Sequence, residues 1–314
     1  MARRWRWVRF WGTVVAIAIA LPLFSSTLAF PGHFPGEPPA LAQSTAIEAR
    51  YFQAEEQFYD RDYDNAEVGY QQVLDYLQAN VPESEDIPEI RHNLARIYLL
   101  TDRYSDALPI LEQLQSEDWT GSGLGNNLAL AYFHTGNYGA AEQVLNGVLA
   151  NWDAIREGDD LDDQDRVTLF EQQSHSYALM QRVLVAQGKT DVALAMAERG
   201  RARALVTRLA QDQQSDEPLT VAQIRAVALA QNTTLVVYAA LGDGQRVLGN
   251  AVDIETDLFT WVIPPSGPIT FQQTPLAPFW SGNAAVRSAP ASAASPLEAL
   301  VATTRQALGV TGRG

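Results

Sequence analysis

Four short segments end on an alanine directly after a turn: RDYDNA at Ala66, DRYSDA at Ala107, GNYGAA at Ala141 and GKTDVA at Ala193. From Ser44 to about Ala210 apolar residues recur at i, i+3, i+4 and i+7, proline is rare, and turn residues interrupt about every 15 residues. Such a stretch can only be a run of helical hairpins. No one hairpin buries its apolar face alone, so neighbours must stack, and an alanine after each turn lets two helices approach closely.

The alanines are spaced 41, 34 and 52 residues apart, and the middle spacing is the tetratricopeptide period. On these residues the chain resembles the tetratricopeptide repeat (TPR) family. Repeat three carries the pattern through Leu128, Ala129, Tyr132, Gly136, Tyr138, Ala141, Leu145 and Val148, and repeat two through Leu94, Ala95, Tyr98, Tyr104, Ala107 and Leu111. Repeats one (Ala54, Tyr63, Ala66, Tyr70) and four (Gly188, Ala193, Ala197) are looser. The resemblance implies a concave surface lined by the first helix of each hairpin. Its groove positions fall here on Tyr51, Glu55, His92, Arg96, Asn126, Leu130, Phe133 and His134. That mixture suits an extended peptide or a partner helix, although several of these positions also read as ordinary packing residues.

Composition narrows the partner. The 314 residues carry 22 Lys+Arg against 37 Asp+Glu, a net charge of -15, which repels a phosphate backbone and argues against nucleic acid. Cysteine is absent, which removes disulfides, thiolate metal sites and cysteine nucleophiles within this chain.

Arg3, Arg4, Arg6 and Arg9 precede an apolar run from Gly12 to Phe24, the layout of a secretory signal and too short for a membrane-spanning helix. Ala40-Leu41-Ala42 is a small-x-small cleavage pattern, with Ala29 as the alternative and a retained anchor as the rival reading. Residues 1–42 are therefore expected to be a signal and cleavage region, the protein secreted or periplasmic, and membrane contact confined to a retained signal.

Other motifs read as structure. Asp159 to Asp165 lacks the spacing and glycine of a calcium loop, and with Glu83 to Asp86 is expected in loops, its acids near the start of a helix. Gly188-Lys189-Thr190 has Val183 where a phosphate loop needs glycine. The histidines at 33, 92, 134 and 175 share no metal-ligand spacing, and no serine sits in a G-x-S-x-G elbow. No cofactor or metal is called for.

After Glu198 the pattern changes. An arginine-studded helix (Arg199, Arg201, Arg203, Arg208) leads to a polar linker from Gln211 to Pro218 and a short helix starting at Thr220. Thr234 to Leu241 predicts a buried strand ending at the turn Gly242-Asp243-Gly244. Phe259 to Ile263, Pro264 to Gly267 and Ile269 to Gln273 predict strand, turn and returning strand, and Pro296 to Leu308 a helix. Strands with helices around them imply an α/β or α+β domain.

This region, roughly residues 195–314, resembles the CHAT family of caspase-like domains. The likeness rests on Glu-Arg-x-Arg-Ala-Arg-Ala-Leu from Glu198, the strand Leu235 to Tyr238, the hairpin LFTWVIPPSGPITFQQ and the last helix. It implies a histidine and cysteine dyad late in the domain, yet this chain has no cysteine and no histidine beyond His175. The expected architecture is thus mainly α: a TPR-like α-solenoid over residues 43–210, then an incomplete α/β, caspase-like domain over 211–314. Three readings follow: a protein-binding module that is no enzyme as it stands, the first part of a cysteine peptidase, or an oligomer joined through unpaired strand edges.

Overall fold

A computed structural model describes residues 39–121, 123–156, 163–209, 220–242 and 255–276. The chain divides into two compact units, residues 1–45 and 46–314. In the first, only the opening turns of helix α1 (Pro39–Tyr59) are described, and Ala40-Leu41-Ala42 falls within them. The expected signal region up to residue 38, the turn at Asp243-Gly244 and the helix at 296–308 lie outside the described residues.

Four helical hairpins follow one another: α1 with α2 (Tyr63–Asn80), α3 (Ile87–Leu100) with α4 (Tyr104–Ser116), α5 (Leu124–His134) with α6 (Tyr138–Arg156), and α7 (Asp163–Ala186) with α8 (Thr190–Leu209). Each turns on one residue in the left-handed region: Arg61 (φ 64°), Asp102 (59°), Gly136 (81°) and Gly188 (75°). The next amide reaches back to the helix it has left, Asp62 to Gln57 O, Arg103 to Tyr98 O, Asn137 to Tyr132 O and Lys189 to Leu184 O, each at 2.8 Å. A second bond joins the left-handed residue's own amide to the carbonyl three residues before it. This is the Schellman arrangement, which satisfies the last carbonyls and stops the helix at one defined residue.

The aligned alanines all follow the left-handed residue by five positions and are fully buried. Twelve residues earlier, on the first helix, stand Ala54, Ala95 and Ala129, equally buried. Neighbouring contacts are as close: a Cβ on Gly69 would lie 2.6 Å from Ala54 Cβ, and one on Gly125 2.4 Å from Val148 Cγ2. The fourth repeat departs here, with the buried Gln181 in the small position. Its Nε2 donates to Tyr177 O at 3.2 Å while its Oε1 has no partner.

The acids from Glu83 to Asp86 lie in the turn before α3, as expected, but Asp163 to Asp165 are already helical. Acids in a first turn are favoured by the helix dipole, so the helix begins earlier than the expected loop allowed.

Helix α9 (Val221–Ala230) begins with a capping box: Gln223 N donates to Thr220 Oγ1 at 3.2 Å and Thr220 N to Gln223 Oε1 at 2.7 Å. Strands β1 (Leu235–Gly242), β2 (Glu255–Ile263) and β3 (Thr270–Pro275) pair antiparallel in that order, with Val237 opposite Trp261 and Trp261 opposite Phe271. Of the two sheet types left open, the described strands take the antiparallel, α+β one. One face buries Val237, Leu241, Phe259, Trp261 and Ile263 in a hydrophobic core that runs on without a break from Ala95 through Leu128, Leu145 and Val183.

Gly136 and Gly147 have open space where a Cβ would point, so alanine tests backbone alone. Gly136→Ala should cost about 1 kcal/mol because φ is positive, whereas Gly147→Ala, inside α6, should gain about 0.5–1 kcal/mol. Urea unfolding of the two variants checks the opposite signs.

Candidate partner-binding groove

Counting back from each buried alanine aligns the first helices. Eleven residues before it stand Glu55, Arg96, Leu130 and Arg182, and fifteen before it Tyr51, His92, Asn126 and Ala178. The structure divides the eight expected groove residues into two groups. Tyr51, His92, Asn126 and Leu130 are buried among the helices, and of these Asn126 also lines the cleft described below. Tyr51, His92 and Leu130 stand where the packing alternative put them, inside the array.

Tyr51 donates its hydroxyl to Glu55 Oε1 at 2.9 Å, and burial, then Glu55, raises its pKa. His92 lies against the Trp119 ring at 4.7 Å, and its Nε2 stands 2.9 Å from Asn127 Nδ2, which ties repeat two to repeat three. Asn126 Oδ1 accepts from Ser176 Oγ at 2.9 Å, tying repeat three to repeat four.

The other four remain at least partly accessible. Glu55 and Arg96 are half-buried, and the Arg96 guanidinium sits 4.5 Å over the Phe58 ring while donating to Asn93 Oδ1 at 3.3 Å. Phe133 is half-buried beside Tyr138. His134 is exposed, stacked on Tyr104 at 3.9 Å with the rings nearly parallel.

Sequence reasoning missed Arg182, because the fourth repeat matched too loosely to be aligned along its first helix. Its guanidinium faces Phe133 at 5.5 Å, donates to Gly242 O and to Thr256 Oγ1 (2.9 Å), and pairs with Asp257 at 3.3 Å. The position that is Glu55, Arg96 or Leu130 in earlier repeats thus grips the sheet in the last one. Trp261 Nε1 donates to Thr190 O at 2.9 Å, and the Arg201 guanidinium donates to the strand carbonyl Tyr238 O.

A cleft of about 610 Å³ between the end of α4 and helices α5 and α6 also went unforeseen. Trp119, Trp152, Gln143 and Asn151 line it, with no acid or base among its walls. Gly188-Lys189-Thr190 forms the α7–α8 turn, where Lys189 Nζ bonds Glu142 Oε2 at 2.6 Å and Gln187 Nε2 meets the same oxygen at 2.9 Å. Among the described residues, no cluster of histidines and acids is placed to hold a metal, and no helix is long and apolar enough to cross a membrane.

Residues 88–113 and 125–146, spanning α3–α4 and most of α5–α6, match a tetratricopeptide repeat family profile. The chain carries tetratricopeptide repeats and is homologous to proteins that contain them. It is 34% identical over 200 residues to tetratricopeptide repeat protein 28 of Mus musculus, and 33% identical over 198 residues to the Homo sapiens protein of the same name. Each alignment takes in 59% of this chain but only 8% of the relative's length. Among solved structures, the crystal structure of BtubC (BKLC) from P. vanneervenii aligns with 60% of this chain and 72% of its own, at 19% identity and a TM-score of 0.43.

Two predictions follow from the joints. Arg182→Leu strands the largely buried Asp257 carboxylate and should cost about 3 kcal/mol, and adding Asp257→Leu should restore part of the loss. Urea unfolding reads both, with amide exchange locating the change in β1 and β2. The Glu142 carboxyl is held below its usual value of 4.5 by its bond from Lys189. That contribution is complete above pH 4.5 and lost as pH falls through the lowered value. Lys189→Gln should therefore cost under about 1 kcal/mol at neutral pH and nothing once Glu142 is protonated.

Proposed function

We propose that the protein captures another polypeptide along the accessible part of its first-helix row, through Glu55, Arg96, Phe133 and His134. What supports this is the repeat itself: tetratricopeptide repeats bind protein partners, and here one helical position is an acid in repeat one and an arginine seated on an aromatic ring in repeat two, while Phe133 and His134 add aromatic surface later along the first helix of repeat three. Arg96 is the centre of the row, since its guanidinium is oriented by Phe58 and Asn93 and offers charge to a carboxylate or carbonyl on the partner. The ligand is an extended peptide or a helix lying across the hairpins.

On this reading residues 211–314 begin a CHAT domain that lacks its dyad, and the protein is exported, secreted or periplasmic, after loss of residues 1–42. Support comes from the basic n-region and apolar run, and from the strand and hairpin residues at 235–238 and 258–273. The second reading, favoured by the same residues, is the first part of a CHAT cysteine peptidase whose histidine and cysteine lie beyond residue 314.

Arg96→Glu should weaken capture of a partner from the protein's own culture about tenfold in a quantitative pull-down, while Asn146→Glu on the exposed face of α6 leaves it unchanged. Equal loss in both variants, or in neither, would count against the groove. Cleavage of a fluorogenic peptide library by the 314-residue chain would contradict the binding-module reading.

A further inference from the structure

Repeat three lacks a bridge that the other hairpins have. Sixteen residues before each aligned alanine, on the first helices, stand Arg50, Arg91, Gly125 and Tyr177, and six after it, on the second, Gln72, Gln113, Gly147 and Arg199. In three repeats these side chains link the two helices. Arg50 Nε donates to Gln72 Oε1 at 2.7 Å, Arg91 pairs at 3.2 Å with Glu117, which also accepts from Gln113 Nε2 at 2.9 Å, and the Arg199 guanidinium lies 6.0 Å from the Tyr177 ring. In repeat three both positions are glycine, and both line the cleft of about 610 Å³ beside Trp119 and Trp152. A Cβ at Gly125 would strike Val148 Cγ2 at 2.4 Å, whereas Gly147 has open space.

We propose that this cleft binds an uncharged saccharide of one or two rings. None of Glu55, Arg96, Phe133 and His134 lines it, so the site goes beyond the peptide groove and does not depend on it. Its volume falls in the range of about 300–1,000 Å³ of small-molecule sites. Asn126 supplies a buried polar wall. It is 7% exposed, and Ser176 Oγ holds its Oδ1 at 2.9 Å, whereas its Nδ2 has no acceptor among the described residues. Trp152 buries its Nε1–H, also without an acceptor among them. A buried donor left unpaired is costly, and a ligand hydroxyl is the kind of acceptor that both lack.

The walls select the ligand's chemistry. Gln115, Gln143 and Asn151 join Asn126, so four side-chain amides stand with two indoles and no acid or base. Each amide both donates and accepts, as a sugar hydroxyl does. The faces of a pyranose ring carry C–H groups, which sit on the negative face of an indole. A wholly apolar ligand would leave the amides unpaired, and an ion would meet no opposite charge on the walls. An extended peptide runs across several hairpins, but this cleft is confined to the end of α4, the segment after it and the single hairpin α5–α6.

The test titrates the full chain with maltose, cellobiose and N,N′-diacetylchitobiose and follows the sugar ring protons by saturation-transfer NMR. At least one of them should bind saturably, with a dissociation constant of about 1 mM or tighter. Gly147→Gln places in repeat three the residue type that repeats one and two carry there, in open space on a helix. It should weaken binding at least tenfold without lowering the melting temperature. Gln143→Ala and Asn151→Ala, both at exposed positions and so safe for folding, should each weaken binding about fivefold. Asn146→Glu, also exposed but outside the cleft, should leave it unchanged. No saturable signal from any of the three sugars up to about 20 mM, or binding that survives Gly147→Gln, would overturn the proposal. Saturation by the neutral peptide acetyl-Gly-Tyr-Gly-amide in place of the sugars would assign the cleft to a peptide and overturn it as well.

Discussion

The distance between two helices at a buried methyl group governs the rest of this structure. Ala66, Ala107 and Ala141 on the second helices and Ala54, Ala95 and Ala129 on the first are all fully buried, and a Cβ added at Gly69 would lie 2.6 Å from Ala54 Cβ. That approach requires each first helix to stop at a set residue and the second to start in phase. The left-handed residue of each turn does this, with its pair of back-reaching amide bonds. Buried methyl and left-handed turn keep a constant separation of five residues, so turn geometry and helix packing cannot vary independently. The longer spacings of 41 and 52 are absorbed in the helices, since α2, α6 and α7 run to 18, 19 and 24 residues against 13 and 11 for α4 and α5.

The end of the array is handled differently. A repeat stack exposes an apolar face at its last hairpin, which must be covered by something unlike a repeat. Here the cover is a sheet, and its aromatic face of Phe259, Trp261 and Phe271 continues the core. Arg182 fastens it. A guanidinium offers several donors in one plane, enough for Gly242 O, Thr256 Oγ1 and Asp257 together. A helix position that elsewhere in the row remains available or packs into the hairpins is spent on that joint.

Much of this was readable in advance because it depends on local pattern. Helical periodicity, turn residues and β-branched runs located the hairpins, the short helix after Thr220 and the three strands to within a few residues. Repeats two and three, where both helices match strongly, supply six of the eight named groove residues, and Tyr51 and Glu55 come from the looser repeat one. What could not be read was which of those residues point outward. His92 and Arg96 are one helical turn apart, and only the placement of Trp119 and Asn127 around one, and of Phe58 beneath the other, separates a packing residue from an accessible one. Arg182 gave no signal, since its partners Gly242, Thr256 and Asp257 come from a segment far away in the chain, and of the cleft between Trp119 and Trp152 only Asn126 was named.

Sequence alone determined that the chain carries helical hairpins and then turns to strands, because helix and strand periods are properties of neighbouring side chains. It also determined the missing thiol and the acidic surface, which composition settles without a fold. Tertiary structure decided the antiparallel order of the strands, the burial of Tyr51, His92, Asn126 and Leu130, and the use of Arg182 as the joint between array and sheet. The reason is that burial and pairing depend on which distant surface arrives against a residue. That is settled only when the helices and strands have packed.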